Sequence, residues 1–185
     1  MDYLRVYGSD KLGAIVLTGA LGGVTPFRMP PADDPDAMRF AEVRKLQMSD
    51  DFDERRQAAE VMVDMLTAGP IPEPYREIFM NAGFMMPLYA RGPMITRKLD
   101  NQDLQAKLDK LPTLLMIGLE DSPTTVEDAP MLAERYDNVS YIGYEGVGHS
   151  AFFEQPERFN ADLREFVTRG RSAAAPAAPT GLTAP

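Results

Sequence analysis

Two residues in this chain have the types and the setting for acid–base chemistry, His149 and Asp121. His149 is the only histidine, and it stands near the end of Tyr141-Ile-Gly-Tyr-Glu-Gly-Val-Gly-His-Ser150. An imidazole takes up and returns a proton near neutral pH, which is what a general base must do. Gly146 and Gly148 free the backbone just before it, so the ring can be held out over the end of a strand. Asp121 closes Leu111-Pro-Thr-Leu-Leu-Met-Ile-Gly-Leu-Glu-Asp121, which reads as a buried strand, a glycine turn and then a carboxylate. A carboxylate against one imidazole nitrogen fixes the tautomer and stabilises the imidazolium, leaving the other nitrogen to act as base. Such a pair wants a third member, an alcohol or thiol nucleophile. The plainer alternatives are a loop histidine bonded to backbone and an aspartate that serves a turn or a cap.

The elements that must position the pair follow from hydrophobic pattern. Three short apolar runs stand between turn signals: Ala14 to Ala20, Thr113 to Ile117, and Val139 to Ile142, the last extending toward Tyr144. The first reads as a strand buried on both faces, as in a parallel sheet. Helical segments separate the runs, the alternation of an α/β protein. In an open parallel sheet, strand ends gather along one edge, so Asp121 and His149 are expected to meet despite their distance in sequence.

Met1 to Tyr7 reads as a helical stub stopped by Gly8-Ser-Asp10, and it looks like the tail of a longer helix because one or two turns alone nucleate poorly. The long stretch 25–111 reads as a mainly helical insertion with proline-rich joints. Asp34 before Pro35 is an N-cap opening a helix through about Leu46. Asp51 and Glu54 form a capping-box pattern for a second helix, striped by Ala58, Met62, Met65 and Leu66 and ended by Gly69-Pro70. A shorter helix is expected near Tyr75 to Ala82, and Leu104, Leu108 and Leu111 mark another before Pro112. Nine of the twelve methionines lie between Met29 and Met94. Their flexible thioethers suit either a lid over varied apolar substrates or ordinary gap-filling in a small core. The last helix, about Pro156 to Thr168, presents Phe159, Leu163, Phe166 and Val167 on one face. Residues 171–185 are alanine- and proline-rich without periodicity, the composition of a disordered tail.

Composition narrows the function. The 185 residues suit one domain, and the absence of cysteine removes disulfides and thiolate metal sites and fits a reducing, cytoplasmic setting. One histidine cannot supply a multi-histidine zinc site, and the acidic runs at Asp33–Asp36 and Asp50–Glu54 lack the glycine and spacing of a calcium loop. They suit helix starts instead. A formal charge of −9 argues against a nucleic-acid surface, and no apolar run approaches bilayer length. Neither a cofactor nor a metal is expected.

The Leu111–Asp121 segment, the segment Gly146-Val-Gly-His-Ser-Ala-Phe-Phe-Glu-Gln-Pro-Glu-Arg-Phe159 and the helical insertion together resemble the C-terminal part of the α/β-hydrolase superfamily. The similarity is to its capped esterase, lactonase and haloperoxidase-like members, and it covers the chain from Met1 to about Arg169. It implies a partial α/β-hydrolase fold: residues 1–24 and 112–170 as the C-terminal part of the core, and 25–111 as a cap. Asp121 then matches the acid of a Ser-His-Asp triad and His149 its base. Glu120 and Asp128 are the neighbouring carboxylates most easily mistaken for that acid.

The departure from the pattern is as informative as the match. The superfamily's nucleophile sits in a Gly-x-Ser-x-Gly elbow between a strand and a helix, and this sequence has none. Ser9, Ser49, Ser122, Ser140 and Ser150 all lie in other contexts. The resemblance therefore implies a hydrolase fragment without its nucleophile and oxyanion-hole donors, whose complete form takes a small apolar ester-like substrate. The strand Ala14–Ala20 would then expose an edge open to self-association or to a complementing chain. A reading from a different class is a non-catalytic module that binds a ligand or partner through its lid and open edge.

Overall fold

The computed structural model describes residues 1–26, 28, 33–121 and 123–174. Helix α1 (Asp2–Tyr7) ends at Gly8, whose φ of 74° is open to glycine and closed to most side chains. Strand β1 (Ile15–Thr18) follows. Four helices then come in turn: α2 (Pro35–Gln47), α3 (Phe52–Asp64), α4 (Tyr75–Met85) and α5 (Leu88–Thr96). A 3-10 turn at Gln102–Leu104 runs into α6 (Gln105–Leu108). Strand β2 (Thr113–Gly118), helix α7 (Pro123–Arg135) and strand β3 (Val139–Tyr144) complete the sheet. Two helices close the described chain, α8 (Ala151–Glu154) and α9 (Pro156–Ala174).

The sheet is three-stranded and parallel, in the order β1-β2-β3. Every residue of β2 is buried, as a central strand with both faces covered requires. Its side chains alternate between two cores. Leu115 and Ile117 join Leu108, Ala129 and Leu132 on one face, beneath α6 and α7. Leu114 and Met116 join Tyr144, Val147, Ala151 and Phe159 on the other, beneath α8 and α9. Burying each of these leucines contributes ~1.5–3 kcal/mol, so β2 is the anchor of the fold.

Local chemistry set the starts of α2 and α3 as expected. The Asp34 carboxylate accepts from the Ala37 amide, and Asp51 accepts from the Asp53 and Glu54 amides. The reciprocal half of the capping box is replaced: the Asp51 amide donates to the Ser49 hydroxyl rather than to Glu54.

Several expectations need correction. Strand β1 is only half-buried, because it lies at an edge of the sheet. Helix α3 stops at Asp64, short of Gly69-Pro70, since the following loop turns aside to meet the histidine loop. Val167 is exposed, and Phe159, Leu163 and Phe166 carry the packing of α9. Helix α9 continues through Ala174, into the stretch expected to be tail, and 175–185 lie outside the described residues. Helix α5 was not anticipated, since Pro93 stands inside it. Proline normally ends a helix, and Pro93, past the first turn, leaves the Tyr89 carbonyl without its intrahelical donor. Among the described residues, no helix is long and apolar enough to cross a membrane.

Candidate active site

The C-terminal ends of β2 and β3 are adjacent, with Gly118 paired to Tyr144. Beyond them the two loops are stitched together by backbone: the Leu119 amide donates to the Tyr144 carbonyl and the Glu120 amide to the Val147 carbonyl, both at 2.9 Å. Gly118 is required at this seam. A Cβ there would collide with the carbonyl oxygens of Val147 and Gly148. With the loops this close, Asp121 and His149 meet across 28 residues of sequence, His149 Nδ1 lying 3.0 Å from Asp121 Oδ2 and 3.2 Å from Oδ1.

The two partners sit in different surroundings. The Asp121 side chain is 8% exposed and that of His149 45%. A nearly buried carboxylate holds one nitrogen of a ring whose other side is reachable. With the Nδ1 proton directed at Asp121, the neutral ring has its Nε2 lone pair free, and among the described residues no hydrogen bond engages Nε2. The hydrogen bond to Asp121 holds the imidazole pKa above the ordinary 6.5; partial burial opposes this and the Asp121 charge adds to it.

The neighbouring carboxylates are placed otherwise. Asp128 is buried in α7 and paired with Arg28, while Glu120 is exposed and engages the histidine loop only through its backbone amide. Among the described residues, no hydroxyl hydrogen-bonds to the His149 ring. Ser49 serves a helix start, and Ser140 lies opposite Leu114, toward the far end of the strands. Ser122 lies outside the described residues.

Two positioning features, at Gly19 and Glu154, were not anticipated, and Gly148, expected to free the backbone as Gly146 does with its φ of 67°, acts through close approach instead. Gly19, just past β1 with φ 63°, lies against the histidine: a Cβ there would stand 2.7 Å from the His149 carbonyl oxygen and 3.1 Å from Nδ1. A glycine at a strand end is the only hint the sequence carries of this. Gly148 has a similar constraint from the other side, since a Cβ would stand 2.7 Å from the Ala68 nitrogen. Glu154 joins these segments, as its Oε1 accepts from the Gly148 amide and its Oε2 from the Ala68 amide, each at 2.8 Å.

A central buried parallel strand, helices on both faces and an acid–imidazole contact at the C-terminal rim define the chain as part of an α/β-hydrolase fold. Solved structures of that fold superpose on nearly all of it. A Burkholderia cenocepacia protein provisionally assigned as an aryl esterase matches with a TM-score of 0.72 and 20% identity, covering 92% of this chain and 60% of its own. An esterase from Exiguobacterium antarcticum matches at 0.69 and 22%, covering 90% and 61%. A bromoperoxidase from Bacillus anthracis matches at 0.69 and 21%, covering 90% and 62%. The chain thus spans about 60% of the length of the structures it resembles. No family model matches the sequence, and no curated protein does.

Proposed function

We propose that this chain is the C-terminal part of an α/β-hydrolase that cleaves an ester or related bond by Ser-His-Asp chemistry. His149 is the general base and Asp121 orients it. His149 Nε2 takes the proton of a serine hydroxyl as that oxygen attacks the substrate carbonyl, and returns it to the leaving group. Asp121 stays ionised and stabilises the imidazolium between the two transfers. The observation that carries this reading is the 3.0 Å contact between His149 Nδ1 and the nearly buried Asp121 carboxylate.

The serine elbow and the oxyanion-hole donors belong to the part of the fold that these 185 residues do not contain, in keeping with the coverage of the related structures. The chain alone is therefore inactive. In the complete enzyme, 25–111 acts as a cap over a small apolar substrate, and the outer edge of β1 receives the complementing part of the sheet. Sequencing the genomic DNA upstream of the Met1 codon tests this, with an in-frame Gly-x-Ser-x-Gly as the expected result. A stop codon immediately upstream removes the single-chain version. Ester hydrolysis is then expected when the 185-residue chain is mixed with a separately encoded elbow half, and its absence there ends the proposal.

A further inference from the structure

We propose that Glu154 is a positioning residue: its carboxylate ties the His149 loop to the helical insertion, so that the insertion helps to set the contact between His149 and Asp121. The inference rests on the reading of His149 as the base.

Within the histidine loop, Glu145 and Val147 are braced by core elements, through the Gln155 side chain and the Glu120 amide. Gly148, the residue joined directly to His149, is braced by Glu154. The same carboxylate takes the Ala68 amide, 86 positions away in the loop after α3. Charge-assisted bonds from one carboxylate to two backbone amides are stronger than neutral ones and fix both segments together. The bare Cα of Gly148 lets those segments approach this closely.

Helix α8 makes the tie stiff. It is four residues long, and its turn is closed by the Phe153 and Glu154 amides donating to the Ser150 carbonyl. Ser150 and Ala151 are buried. Displacement of Glu154 is therefore transmitted to the residue beside Ser150, which is His149. The adjacent side chain makes a second, independent tie. The Phe153 ring lies edge-on to Tyr75 at 5.5 Å and to Phe79 at 5.2 Å, both on α4. Two consecutive residues of α8 thus hold the insertion at two separate places.

Because His149 is the sole histidine, its titration can be followed by NMR in the full chain without an activity assay. Four variants are compared with the wild type: Asp121→Asn, Glu154→Ala, Glu154→Gln and Phe153→Ala. The expected result is a His149 pKa that falls toward 6.5, most in Asp121→Asn, less in Glu154→Ala and least in Glu154→Gln, which keeps one amide acceptor. Gly148 and Ala68 amides are expected to exchange about tenfold faster in Glu154→Ala. Phe153→Ala is expected to lower the pKa as well, although it changes no charge. Simply admitting water would raise it, so a rise overturns the part assigned to the insertion. If Glu154→Ala and Glu154→Gln lower the pKa equally, and high salt does the same to the wild type, Glu154 acts only as a charge and the inference fails. If Asp121→Asn lowers the pKa and neither Glu154 variant does, the inference fails while the reading of His149 and Asp121 stands. If Asp121→Asn leaves the pKa unchanged, that reading itself fails. Glu154→Gln preserves size and shape, so the comparison holds if the alanine variant does not fold.

Discussion

Strand β2 and helix α4 are both rich in apolar residues, yet every residue of β2 is buried and none of α4 is. The strand lies between two cores, so its side chains are committed on both faces. The helix is held by ring contacts and an ion pair, Arg76 with Asp64, and leaves Tyr75, Ile78 and Met85 in contact with solvent. Stability therefore belongs to the sheet and the helices against it, α6 included, whereas α4 is attached at a few points. The acid–imidazole pair grows from the stable part, while the surface around it is supplied by the looser one. Variation in the insertion then reaches the pair through its ties at Glu154 and Phe153.

The sharpest test of the contrast lies at the pair itself. In the completed hydrolase, Asp121→Asn is expected to lower turnover by about 10⁴, because the ring loses both its tautomer and the support of its positive form. Near-normal kcat in that variant would discredit the assignment. Next comes the anchor strand. Leu115, 0% exposed, is expected to cost about 2–5 kcal/mol on substitution by alanine, read from the urea midpoint at unchanged m-value. A loss under 1 kcal/mol would mean that β2 does not carry the fold.

The pH effect is smaller. His149 has a folded pKa raised above the unfolded 6.5, chiefly by its bond to Asp121, so its stabilisation is fully present below 6.5 and is lost as pH rises through the folded value. The fall in urea midpoint over that interval is expected to be larger in the wild type than in Asp121→Asn, and equal slopes would refute the coupling. The smallest effect is expected on the insertion's outer face. Ile78 is 56% exposed, and Ile78→Ala is expected to stay within about 0.5 kcal/mol of the wild type. A loss of 2 kcal/mol or more on the same ~0.5–3 kcal/mol scale of point mutations would show that α4 is packed more firmly than its surface suggests.

What the sequence made legible follows the same division. The runs Thr113–Ile117 and Val139–Tyr144 are strands because continuous apolarity between turn residues admits little else at that length, and the meeting of Asp121 with His149 follows from parallel strand ends. Asp34 and Asp51 announce helix starts through chemistry that is local. Burial of β1 was misread because apolar composition does not reveal whether a strand is central or at an edge. The end of α3 was misread because the chain leaves the helix to reach Glu154, a partner far along the sequence. Gly19 and Glu154 escaped notice for the same reason: one acts by allowing close approach and the other by bonding to backbone amides. Neither carries a pattern that local spacing can disclose.

The two faces of β2 have a consequence for how damage would show. The acid is followed by α7 on one side of the sheet, and the imidazole by α8 and α9 on the other. Any sliding of one layer against the other is felt as shear across the 3.0 Å contact between the two side chains, beside the backbone bonds that join their loops. Faults anywhere in the interior should therefore converge on that contact and blunt it while the chain is still folded, like play in a hinge noticed first at the latch.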